Sequence, residues 1–159
     1  MREFLTDLFT NYSLYIVFIH VLSAVLWVGG MIALRFIVSP ILKLNLEDKK
    51  VIDLYCLITS KFLKFILIFI LLLIITAVIM IIGMDLSHSV MSKYSHAKEG
   101  IWTVMFIIYI VIAFYTKSIS KSSTFEALNK IKTVQNILLP LTIVLGIIAI
   151  FIGVMLRGF

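Results

Sequence analysis

Four stretches of this chain are long and apolar enough to cross a bilayer, covering residues 12–38, 65–84, about 97–116 and 137–156. A spanning helix needs roughly 17 to 25 apolar residues, because hydrocarbon offers no partner to a free backbone N–H or carbonyl and a helix pairs them internally. The chain has 159 residues, 62% hydrophobic and 14% charged, with a mean hydropathy of +1.18. No soluble domain of that size buries so much apolar surface in one core. The expected fold is all-α: a single domain over residues 1–159, built as a four-helix transmembrane bundle.

The connections refine this picture. Pro40 is expected to close the first span, since proline lacks the N–H for the next helical bond and the residue before it disfavours α geometry. Residues 41–64 read as an amphipathic surface helix, with Asn45 and Asp48 as an N-terminal signal and Val51, Leu54, Tyr55 and Ile58 at helical spacing. Ser123 and Glu126 match a capping box ahead of a second short amphipathic helix carrying Phe125, Leu128, Ile131 and Val134. The first apolar run is longer than a signal-peptide core and has no small-residue cleavage pattern after it, so it reads as a retained span.

Charge sets the expected orientation. The net charge of +6 is not a nucleic-acid footprint, because the lysines lie in short loops between spans. Lys43, Lys49, Lys50, Lys61, Lys64, Lys117, Lys121, Lys130 and Lys132 follow spans one and three, whereas Arg2, Lys93, Lys98 and Arg157 occupy the termini and the middle connection. The positive-inside rule puts both lysine-rich connections in the cytoplasm and both termini outside. The single cysteine, Cys56, cannot form an internal disulfide.

His20 is the first functional suspect, because an ionisable ring at lipid depth costs free energy unless it faces the bundle interior and has a partner. At about 100° per residue, His20, Ser23, Ala24, Trp27, Met31 and Leu34 share one stripe with Gly30 at its edge. Small residues there admit another helix or a flat macrocycle close to the backbone. His96 opens the third span and His88 lies in the outer connection, so all three imidazoles collect toward the outer side. His20 with His96 suits b-type haem or a metal; the alternative is a histidine hydrogen-bonded to a neighbouring polar group.

Lys98 and Glu99 follow His96 directly. Lys98 is placed to neutralise a haem propionate or a quinone-type substrate, and Glu99 to shuttle protons; the alternative is a solvated helix start with Lys98 snorkelling to the headgroups. Met80, Met84, His88 and Met91 align on one helical face if the second span continues outward, a donor set suited to cuprous ion, although methionine also fills apolar gaps. Arg35 and Lys64 read as anchors to anionic headgroups, and Asn136 with Pro140 as structural. A phosphate-cradling glycine loop, His-Glu-x-x-His, Gly-x-Ser-x-Gly and Cys-x-x-Cys are all absent, which argues against an ATP-driven pump, a metalloprotease and covalently attached haem.

The string from His20 through Trp27 to Gly29 and Gly30 resembles the first helix of the copper-resistance D (CopD) group of bacterial membrane proteins. His96-Ala-Lys98, and Asn136 followed by Pro140, look like the related HemJ proteins, four-helix proteins associated with protoporphyrinogen oxidation using a bound haem b. The resemblance implies a multi-pass protein of the bacterial inner membrane, with His20 as haem ligand and Lys98 as a functional lysine. The chain departs from the HemJ pattern at Val38 and Ser39, where a second histidine is expected, and at Ile137, where an acidic residue is expected. Those departures bring the copper-resistance side forward.

The leading expectation is a redox-active metal centre in the outer half, haem b ahead of copper, serving electron transfer between quinone and an outer redox partner, or copper handling. Copper transport through His and Met ligands without haem, protoporphyrinogen IX oxidation, and a structural or assembly subunit are the alternatives, so the residues leave both enzyme and non-enzyme readings open. Four spans cover one haem only in part, and a homodimer would complete the cover.

Overall fold

The computed structural model describes residues 2–43, 49–83, 92–119 and 121–155. In chain order these form α1 (Arg2–Ala33), a π turn (Leu34–Val38), α2 (Ser39–Lys43), α3 (Lys49–Gly83), α4 (Ser92–Ile119), α5 (Thr124–Thr133), a second π turn (Val134–Leu138) and α6 (Leu139–Met155). Four helical runs are long and apolar enough to cross a membrane, and no strand occurs among the described residues. The protein is an all-α, multi-pass membrane bundle.

Helix α1 is broken once, at Tyr12 (φ −126°, ψ 21°), which is where the apolar run begins. The segment before Tyr12 folds against the far end of α3, so that a side chain at Gly83 would overlap the Phe9 ring. The inward stripe of α1 is the one its periodicity predicts: His20, Ser23, Trp27, Met31 and Leu34 are buried and Ala24 is half-buried. Trp27, Met31 and Leu34 of that stripe, with Ala24 against them, meet Leu63, Ile66, Ile70 and Leu73 of α3, Met105, Ile108 and Ile112 of α4, and Leu139 and Ile143 of α6 in one core.

Two glycines set how close the helices come. A Cβ at Gly30 would overlap the Phe62 ring of α3, and one at Gly146 would overlap Val28 of α1. Association of helices in lipid depends on this intimacy, because lipid tails are as apolar as the helices and supply no hydrophobic driving force between them.

The connections differ from the sequence reading in three ways. The surface helix and the second span are one continuous 35-residue helix, α3. No glycine or proline interrupts the chain from Lys49 until Gly83, so the helix propagates to about 52 Å at 1.5 Å per residue, well beyond a hydrocarbon core of about 30 Å. Its projecting end forms a second cluster, in which Ile52, Tyr55 and Cys56 meet Leu42 of α2, Ile119 of α4, and Ala127 and Ile131 of α5. Asn45 and Asp48 lie outside the described residues.

Pro40 does not end the first helical run. The five residues before Ser39 widen into a π turn, whose looser register tolerates a proline that supplies no N–H, and the run continues through α2. The Ser39 hydroxyl donates to the Leu34 carbonyl at 2.7 Å. Pro140 is preceded by a π turn in the same way.

The capping box at Ser123 is not formed. Ser123 has N-cap backbone geometry but no side-chain cap bond, and Glu126 instead pairs with Lys130 at 2.6 Å. Lys130 also donates to Ser118 and Ser122, at 2.8 Å each, which ties the end of α4 to α5 and leaves the glutamate no reason to reach back.

Replacing Gly146 by leucine should destabilise the bundle by about 1–3 kcal/mol through forced separation of α1 and α6. Gly29→Ala, at a position with nothing within 4 Å, should be neutral. Thermal unfolding in detergent followed by circular dichroism checks both, and equal melting of the two variants would contradict the packing described.

Candidate functional site

The site is built around His20, about two-thirds of the way from the lysine-rich end of the first apolar span, residues 12–38, toward its opposite end. Its Nδ1 lies 2.9 Å from the Thr76 hydroxyl of α3. Thr76 in turn reaches two carbonyls of its own helix, Leu72 at 2.7 Å and Leu73 at 3.2 Å. A threonine has one hydroxyl proton, and here a carbonyl takes it, so the hydroxyl accepts from histidine. Nδ1 is therefore the protonated nitrogen, and the lone pair of His20 sits on Nε2. An imidazole whose Nδ1–H is fixed by a second residue is the usual arrangement for a ligating histidine, since the outer bond sets both tautomer and ring orientation.

Lys98 joins this group from α4. It does not snorkel outward: it is half-buried, and its Nζ lies 3.1 Å from where a Cβ on Gly153 of α6 would sit. Its charge is near enough to act electrostatically on His20. Among the described residues no carboxylate pairs with it. Gly153 thus makes room for an ammonium, and three helices, α1, α4 and α6, converge on one polar spot with α3 supplying the orienting hydroxyl.

The walls of the spot are less tightly closed than the rest of the bundle. In α4 no residue from His96 to Val104 is fully buried, and in α6 none after Gly146, whereas α1 and α3 still bury Ile16, Val17, Leu73 and Thr76 at this level. Ile101, Trp102 and Ile150 border the core here as half-buried side chains. Trp102 stacks on Phe106 at 5.4 Å, and Phe106 on Tyr109 at 6.1 Å, so the α4 side is an aromatic column. Deeper on the His20 stripe, Trp27 is buried with its Nε1–H unpartnered.

Several expected site residues stand apart from His20. His96 is largely exposed and its Nδ1 lies 3.3 Å from Glu99, with no described contact joining it to His20. At about 100° per residue, His96 and Lys98 fall on opposite sides of α4, so turning the lysine inward turns the histidine out. Gly30 lies under Phe62 as a packing residue. Met80 is half-buried near the end of α3, while Met84, His88 and Met91 lie outside the described residues. No cluster of three or more His, Cys, Asp or Glu side chains suited to a metal occurs among the described residues.

Thr76 was legible only as a threonine in an apolar span. Sequence reasoning passed over it because nothing local says that it faces His20, 56 positions away. The chain matches no family model, no curated protein and no solved structure.

Histidine ¹⁵N spectra of the detergent-solubilised protein should show His20 as the Nδ1–H tautomer. Thr76→Val should cost about 1–2 kcal/mol of stability, since it strips the acceptor from a buried N–H. A His20 signal protonated at Nε2 in the wild type would contradict the assignment.

Proposed function

We propose that this protein is a small membrane redox protein of the CopD and HemJ kind, holding haem b through Nε2 of His20 and passing electrons between a quinone and a partner on the side away from the lysine-rich end. The observation that carries this reading is the buried His20 held at Nδ1 by Thr76, at the level of the Lys98 ammonium, which no carboxylate among the described residues pairs. The residues fit the group. Lys98 is placed to neutralise a propionate, the unpaired Trp27 Nε1–H needs an oxygen acceptor, and the half-buried aromatic wall of α4 suits a flat macrocycle.

Bound haem supplies reversible one-electron chemistry. The chain's own part is to orient the ligand through Thr76, to offset negative charge through Lys98, and to keep water from the ring with Trp27, Ile101, Trp102 and Ile150. This reading gives His20 the role of protein ligand and leaves His96 at the surface. By the positive-inside rule the site lies in the outer half of a bacterial inner membrane.

Protein purified gently from haem-replete cells should show a Soret band and a sharp reduced-minus-oxidised α band. His20→Ala should abolish both, His96→Ala should keep them, and Lys98→Met should keep the bands with a lowered midpoint potential. A colourless wild-type protein, or one carrying stoichiometric copper in place of haem, would overturn the proposal.

A further inference from the structure

A second polar group lies toward the lysine-rich end, far along α3 from His20. Gln135, in the second π turn, is fully buried, and neither Oε1 nor Nε2 has a hydrogen-bond partner. Thr59 of α3 is equally buried with its hydroxyl unpartnered. Tyr55, one turn before Thr59 on α3, is 2% exposed and packs in one cluster with Ile131, one turn before Gln135, so the three side chains share the interface between α3 and the segment leading into α6.

These orphans are not typical of the bundle. Ser39, Thr76, Thr116 and Thr142 are buried too, and each donates to a carbonyl of its own helical run. Thr59 does not. The backbone adds a constraint: the Leu139 N–H closes onto the Val134 carbonyl, and Pro140 has no N–H to offer Gln135 in the next step of the π register. Burying such groups without partners is costly, and native proteins meet that cost with ordered water where the site is polar and encloses several donors and acceptors.

We propose that Tyr55, Thr59 and Gln135 enclose ordered water, an internal hydration site that bridges α3 to the π turn at the head of α6. The donor set selects the occupant. An amide supplies both a donor and an acceptor, and two hydroxyls supply either, which matches a molecule that both gives and takes hydrogen bonds. No carboxylate is buried with them among the described residues, so a bare cation would meet neutral groups only. The site is independent of the cofactor at the other end.

Radiolytic hydroxyl-radical footprinting of the intact protein in detergent tests this, because bound water generates radicals next to the residues that hold it. Tyr55 is 2% exposed and Tyr109 is 8% exposed, with the Tyr109 hydroxyl committed to the Leu63 carbonyl at 3.0 Å. The proposal expects Tyr55 to be modified several-fold faster than Tyr109 despite its lower exposure, and Gln135→Leu to bring the two rates together. Modification of Tyr55 in the wild type at or below the Tyr109 rate would overturn it, whether or not the variant folds. A Gln135→Leu protein that keeps the fast Tyr55 rate would overturn it as well.

Discussion

In hydrocarbon nothing external takes up a free backbone N–H or carbonyl, and both π turns of this bundle are shaped by that constraint. The two π turns come just ahead of Pro40 and Pro140, where regular α register would lose a bond and force the ring against a carbonyl. Widening the turn lets the helix pass the proline without stopping. At the first turn the Ser39 hydroxyl returns to the Leu34 carbonyl; at the second the turn carries Gln135, whose buried amide has no partner.

The same accounting separates the two polar groups inside the bundle. His20 is satisfied at Nδ1 by a threonine that is itself satisfied by its own helix, which leaves the lone pair on Nε2. Gln135 is satisfied on neither side. The first is a ring held for something that binds it, and the second is a set of groups that must be bridged. They lie at opposite ends of α3, separated by the tight apolar layer of Leu63, Ile66, Ile70 and Leu73.

Some sequence expectations failed for reasons that are local and physical. Serine 123 and Glu126 have the spacing of a capping box, but Lys130 offers the glutamate a charge-assisted partner one turn along the same helix. Asn136, which reads from the sequence as a structural residue, is exposed, while Gln135 beside it is fully buried. A π turn holds an extra residue relative to α register, so the face read from a regular 3.6 period ahead of Pro140 is off by about one position.

Composition and periodicity alone determined that the chain is an all-α membrane bundle, where its spans lie and which stripe of α1 turns inward, because apolar length and 3.6-residue spacing are properties of each segment by itself. They marked His20 as well, since an imidazole at that depth is costly wherever its neighbours are. Tertiary structure decided its partners. Thr76 meets His20, and Lys98 turns in against Gly153 while His96 turns out, only through the register at which antiparallel helices pack. That register is set by glycine contacts between helices distant in sequence, and no periodicity within one helix encodes it.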